Sequence, residues 1–352
     1  MPAAAAATIA LDGYGAERGF DALAQGVRLA AGDGIRLRVF GPASQLGLDD
    51  VDGVEVVPTD EWISNADDPV PAVRARSEAS IVRAAGDVAA GNADALVSHG
   101  STGATMAAAT FGLRRMRGVG RPALAARLPV PGAPVLFLDV GANVEVRSQH
   151  LVQFAYLGAA FSRAVLEVRE PRVGLLSVGK EGGKGTPAVA EAHDHLSRAS
   201  GIDFIGNVEG DDLPAGTADV VVTDGFTGNV AVKLLEGTAR AITGAISDSA
   251  RSNPMAMAGG LLLRPALGGL KRDLHPDSTG GAILLGLRQI AVVGHGSAGA
   301  EGIANSIRLA ARAVATDAVA KTGALLQDAD ATRRALGADR ADDASAGPSG
   351  PA

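Results

Sequence analysis

An α/β fold with a mostly parallel sheet and helices on both faces follows from three observations. Short apolar runs alternate with longer segments of helical spacing along most of the chain. Val220-Val221-Val222 is apolar throughout, as a parallel strand covered on both faces requires. Several runs end in glycine and small polar residues just before a helix, at the strand ends where such sheets bind ligands.

In chain order the expected strands are Thr8–Leu11, Arg36–Phe40, Ala95–Ser98, Val135–Val140, Val173–Val178, Phe204–Val208, Val220–Thr223 and Ile290–Val293. Helical spacing covers Val73–Ala90, Ser148–Glu167, Val230–Ser249 and Ile303–Ala320. Pro254–Pro276 breaks the alternation with Met255, Met257, Leu261, Leu262, Leu263, Leu267 and Leu270 among Arg264, Lys271 and Arg272. It is expected as a protruding helical segment near 250–276, serving as a subunit interface or as a surface for lipid or an acyl carrier. From about Gln327 the chain turns to Ala, Asp, Arg, Ser, Pro and Gly. A single two-lobed catalytic domain over 1–326 and a disordered tail over 327–352 are therefore expected.

Composition narrows the function. Aromatic residues are 3% of the 352 and the net charge is −7, which argues against nucleic-acid stacking or general phosphate-backbone binding. The absence of cysteine removes a thiol nucleophile, a zinc–thiolate site and disulfides. His193 and His195 point to different faces of a helix, so no metal site is expected there. Trp62 is expected in the core. The first residues lack the pattern of a signal peptide, and no apolar run approaches the roughly 20 residues that span a bilayer. A cytoplasmic protein is expected.

The richest stretch is DGFTGNVAVKLLEG, Asp224 to Gly237, between the run ending at Thr223 and an amphipathic helix. Unpaired N–H groups at a helix start suit an anion or a developing oxyanion. Ser98–Gly103, Asp139–Asn143, Gly179–Thr186 and Gly294–Ser297 repeat this construction and suggest one shared anion-binding cleft. Gly13-Tyr14-Gly15 with Gly19 misses the dinucleotide spacing, and Gly179–Lys184 lacks the ending of a phosphate-binding P-loop, so no cofactor is expected.

SHGSTGAT, LDVGAN, HLVQFA, GLLSVG, FIGNVEG, DGFTGNVAVK, GGAILLG and GHGS occur in this order. Together they closely resemble the bacterial phosphate acyltransferases of phospholipid synthesis, over roughly residues 8 to 320. The resemblance implies an isocitrate/isopropylmalate-dehydrogenase-like fold and a homodimer. It implies transfer of an acyl group from acyl carrier protein to inorganic phosphate. It also implies a membrane glycerol-3-phosphate acyltransferase that uses the product, and a peripheral contact at the inner face of the membrane. Two loops depart from the family pattern. Asp12-Gly13-Tyr14-Gly15-Ala16-Glu17 stands for Asp-Ala-Met-Gly-Gly-Asp, and His99 and Ser101 are substituted in the next loop.

Phosphate is already an anionic nucleophile, so the enzyme need only hold it against the thioester and stabilise the tetrahedral oxyanion. On this reading Ser101, Thr102, Gly103, Gly296 and Ser297 bind phosphate, with Lys184 as the cation. Asn229 and Asn143 donate to the oxyanion, and His295 protonates the leaving thiolate or orients phosphate. Asp224 and Asp12 position these donors. The resemblance adds Asn207, Glu209 and Gly228 to the cleft. The alternatives are a coenzyme A-dependent phosphate acyltransferase, a decarboxylating dehydrogenase of the same fold, and a non-catalytic membrane-surface protein.

Overall fold

The computed structural model describes residues 7–128, 134–259, 262–263, 276–332 and 336. Eleven strands form one mixed, mostly parallel sheet in the order β3-β2-β1-β4-β11-β10-β5-β6-β9-β7-β8. All eight expected strands are present, as β1 (Thr8–Asp12), β2 (Arg36–Gly41), β4 (Ala95–Ser98), β6 (Leu136–Leu138), β7 (Arg172–Leu176), β8 (Asp203–Val208), β9 (Val220–Val222) and β11 (Ile290–Val293). The sequence reading missed β3 (Val54–Pro58), β5 (Ala123–Arg127) and β10 (Ala282–Leu285).

Direction within the sheet decides where the site can be. Strands β3, β2, β1, β4 and β11 are mutually parallel, and so are β6, β9, β7 and β8. The three pairings between these halves, β11–β10, β10–β5 and β5–β6, are all antiparallel. Three reversals set the halves running in opposite directions. Their carboxyl ends therefore lie at opposite edges, and the glycine loops cannot all converge as expected. Ser98–Gly103 and Gly294–Ser297 sit at one edge, Asp139–Asn143 and Gly179–Thr186 at the other.

Two apolar layers cover the sheet. One contains α1 (Gly19–Gly32), α6 (Ser148–Val165), α7 (Pro187–Leu196), α10 (Ala300–Ala315) and α11 (Ala318–Asp328). Helix α6 is buried nearly all round, as its continuous apolar and small-residue surface requires. The opposite layer contains α3 (Pro69–Ala75), α4 (Ser80–Ala89), α5 (Thr102–Gly112), the short α8 (Asp212–Ala215) and the inner face of α9 (Gly225–Ala250). Helix α2 (Ala43–Leu46) is a single turn.

Expected helices differ at their ends. Val73–Ala90 is two helices broken at Arg76–Ala79, and Ser80 then donates its hydroxyl hydrogen to Asp12 at 2.6 Å. Ile303–Ala320 breaks at Asp317, whose φ is 53°. The ordered chain runs past the expected boundary at 326. Helix α11 closes at Asp328, Ala331 is buried, and Gln153 Nε2 donates to Ala331 O at 3.0 Å. Most of the tail lies outside the described residues, as do 260–261 and 264–275 of the segment expected to protrude. Met255, Met257, Leu262 and Leu263 are exposed, and α9 carries an exposed apolar stripe of Phe226, Val230, Leu234, Ile242 and Ile246. Among the described residues no helix is long and apolar enough to cross a membrane.

Candidate active site

A cleft of about 450 Å³ lies over β5 and β10, between the start of α5 and the first turns of α9. Leu124 and Ala126 alternate along β5, and with Leu128 just past its end they form the floor. Three loops at the carboxyl ends of β1, β4 and β11 form one wall. Glu17 N donates to Gly296 O at 2.8 Å, and Gly294 N to Ser98 O at 2.8 Å. Gly15 has φ +84°, and a Cβ there would lie 2.3 Å from Gly100 Cα, so only glycine lets these two loops touch.

Asp12 ties the wall from beneath. Its buried carboxylate accepts from Ser80 Oγ at 2.6 Å, Ser98 Oγ at 2.8 Å and Tyr14 N at 3.3 Å. Asp12 itself does not line the cleft. Burial raises its pKa above the usual carboxylate range, and those hydrogen bonds oppose the shift. A raised folded pKa contributes stability that is present below the unfolded value and lost as pH rises through the folded one. Asp12→Asn should therefore flatten the stability profile above about pH 4. Urea unfolding of both proteins between acid and neutral pH checks this, and identical profiles would contradict it.

His295 is exposed and lines the cleft. Its Nδ1 accepts from Ser297 N at 3.2 Å and lies 2.8 Å from Ser297 Oγ. That contact makes Nδ1 the acceptor and leaves the ring proton on Nε2. With Nδ1 accepting, His295 offers Nε2–H as a ring donor. Behind it, fully buried His99 donates from Nδ1 to His295 O at 3.1 Å. Burial lowers the His99 pKa, and among the described residues its Nε2 has no hydrogen-bond partner.

Ser101 caps α5 by accepting from Ala104 N at 3.4 Å, so the Thr102 and Gly103 N–H groups remain as helix-start donors. Thr102 lines the cleft. Gly103 faces α3, where a Cβ would lie 2.9 Å from Pro69 Cγ, so its lack of a side chain serves packing.

Helix α9 carries residues from the other half into the cleft. Asn229, Val232, Lys233 and Glu236 follow the i, i+3, i+4, i+7 spacing of one helix face, and all four line it. Asn229 Nδ2 donates to Val140 O at 3.2 Å, which orients the amide. Asp224 is the α9 N-cap, accepting from Thr227 N and Thr227 Oγ1, both at 2.8 Å. It does not line the cleft.

Other expected site residues do not line the cleft. Asn143 was expected as an oxyanion donor, and its Nδ2 donates to Pro122 O and Asp139 Oδ2, both at 2.7 Å. Gly228 is buried against the Asp139 backbone rather than facing substrate. Asn207 Nδ2 donates to Glu181 O at 2.8 Å and so braces the Gly179–Thr186 loop. Lys184 is exposed on that loop and does not line the cleft. Glu209 lies near Asp211 and Asp212 at the end of β8. Asp212 there accepts from Glu209 N and Thr217 Oγ1 and pairs with Lys180. Lys233 was missed, although it closes the DGFTGNVAVK motif. Its place four residues after Asn229 is the signal that would have found it. Among the described residues it has no ion-pair partner.

Comparison with known proteins decides the family. The family model described as "Fatty acid synthesis protein" matches residues 7–321. A phosphate acyltransferase of Elusimicrobium minutum is 47% identical over 77% of this chain and 79% of its own. That of Geobacillus thermodenitrificans is 40% identical over 91% of this chain and 98% of its own. The chain belongs to the phosphate acyltransferase family. It is an acyltransferase of fatty acid and phospholipid synthesis, with an acyl substrate and phosphate. A phosphotransacetylase of Streptococcus pyogenes has the same fold at 15% identity, with a TM-score of 0.57 over 88% of this chain and 94% of its own. A branched-chain phosphotransacylase of Enterococcus faecalis matches at 16% identity and a TM-score of 0.55, over 88% and 99% of the two chains.

Proposed function

We propose that this phosphate acyltransferase moves a fatty acyl group from the thioester of acyl carrier protein to inorganic phosphate. The observation that carries the reading is the meeting of four kinds of donor around one cleft. They are the α5 helix start, the His295 ring, the Asn229 amide and the Lys233 ammonium. Phosphate binds at Thr102 and Gly296, with Lys233 offsetting its charge. A phosphate oxygen attacks the thioester carbon, and Asn229 and His295 Nε2–H donate to the tetrahedral oxyanion. The carbon–sulfur bond then breaks. A thiol has a pKa of about 8.5, so the thiolate leaves readily, and the proton carried by hydrogen phosphate ends on sulfur. The products are acyl phosphate and free carrier protein.

The cation assignment is testable by comparing two lysines. Lys233→Ala should raise the KM for phosphate about tenfold, the loss expected of one charge-assisted contact. Lys184→Ala should raise it less. A larger effect at Lys184 would return the phosphate cation to the Gly179–Thr186 loop.

Arg114, Arg115 and Arg117 are exposed just beyond the last turn of α5. They lie about one helix length, roughly 16 Å, from its start at the cleft. This basic group supports docking of an acidic carrier protein in preference to coenzyme A. Reversing the three charges should slow turnover of the carrier-bound donor more than that of the coenzyme A thioester. Equal effects would favour coenzyme A as donor.

The exposed stripe on α9 supports a homodimer, with each copy covering the other's Phe226, Val230 and Leu234. The apolar residues after Pro254 support a peripheral contact at the inner face of the membrane, where a glycerol-3-phosphate acyltransferase would take up the product.

A further inference from the structure

A second cavity, of about 520 Å³, adjoins the cleft. The two share Gly15, Glu17 and Asn65. Their linings divide at the α5 start, where Ser101 faces the second cavity and Thr102 the cleft. The second cavity is the aromatic one. Tyr14 stacks on Trp62 with ring centroids 5.8 Å apart and 6° between planes, and meets Phe20 edge-on at 5.7 Å. Leu23 closes the inner end.

These rings are held before any ligand arrives. Tyr14 Oη donates to Thr59 O at 3.0 Å, and Tyr14 N to Asp12. The Trp62 segment is fixed by Arg76 Nη1 donating to Trp62 O at 3.3 Å and by the Arg76–Asp67 ion pair at 2.8 Å. Even so, Trp62 is 43% exposed, contrary to the core position expected for it. A large ring kept half in water beside a reaction cleft is apolar surface awaiting cover.

We infer that this aromatic cavity receives the hydrocarbon chain of the acyl donor, with Trp62 and Tyr14 as its specificity-determining walls. The inference rests on the acyl-transfer reading above and adds the place of the chain. The thioester carbonyl then sits at the junction by the α5 start, the chain lies along the Tyr14–Trp62 pair, and the pantetheine arm leaves through the cleft. The departures from the family pattern in the first loop put Tyr14 in this wall, so chain preference is a property of this sequence rather than of the family motif.

The chain has one tryptophan, so its fluorescence reports this site alone. Full-length protein is titrated with a long-chain acyl-pantetheine thioester brominated at mid-chain, and with a four-carbon brominated thioester as control. Saturable quenching by the long chain and little by the short one is expected. Quenching that is absent, or equal for both probes, overturns the inference. In parallel, Trp62→Ala should lower kcat/KM for long-chain donors about tenfold while leaving two-carbon donors unchanged. An unaltered chain-length profile also overturns it. Phosphate-dependent thiol release by the unmodified protein, measured alongside, separates the two failures. If release occurs without quenching, the chain lies elsewhere and acyl transfer to phosphate stands. Quenching without release supports the cavity and refutes the transfer.

Discussion

Asn229→Ala is expected to lower kcat for acyl transfer to phosphate by about 10²–10³. The side chain stands in the first turns of α9, where Val140 O holds one amide hydrogen and directs the other group into the cleft. A donor held in this way needs no reorganisation when charge develops on the carbonyl oxygen. Removing it should reduce kcat and kcat/KM together, because the contact strengthens only in the transition state. Asn229→Asp keeps the shape and reverses the polarity, so it should be at least as impaired. Steady-state kinetics with an unfolding curve for each variant makes the check. Turnover close to that of the unmodified protein in a folded Asn229→Ala would remove the amide from the mechanism.

Gly228→Ala should destabilise the protein by roughly 3 kcal/mol and lower activity as well. A Cβ at Gly228 would lie 1.8 Å from the Asp139 carbonyl oxygen, a backbone atom with no freedom to swing aside. The Asp139 carboxylate accepts from Leu124 N, Gly141 N, Ala142 N, Asn143 N and Asn143 Nδ2, so the β6 loop is fixed from the other side. Helix α9 would have to retreat. It would then loosen the bond from Gly225 N to Asn143 O at 2.7 Å and carry Asn229 away from Val140. Urea unfolding and turnover together measure this. A change below about 0.5 kcal/mol, the range of ordinary surface substitutions, would show that α9 is not seated against Asp139 as described.

The expected strands were legible from short runs that carry Val, Leu, Ile or Phe. Of the strands missed, Val54–Pro58 (VEVVP) and Ala282–Leu285 (AILL) carry those residues too, and β5 carries only Leu124. Ala123–Arg127 reads ALAAR, a helical composition, and becomes β5 only because its neighbours on both sides in the sheet impose it. The opposed directions of the two halves depend on β5 and β10, so that feature was hidden too. This is why one shared cleft was expected where there are two edges. Thr102, Gly296, Asn229 and His295, expected from their loops, line the cleft. Lys184 was expected because a lysine among glycines resembles an anion loop, and Lys233 was missed because a helix face reveals its partner only once Asn229 is placed. Asn143 and Asp224 bear the right chemistry, but their donors and acceptors are engaged within the protein.

The central claim is that phosphate itself attacks the thioester. Stoichiometric enzyme is mixed with a long-chain acyl carrier protein thioester in phosphate-free buffer, with thiol release followed continuously and the protein mass recorded before phosphate is added. Direct attack predicts no thiol and no acylated enzyme until phosphate arrives, then one acyl phosphate for each thiol. A burst of thiol with an acyl adduct on the protein before phosphate is added would contradict it.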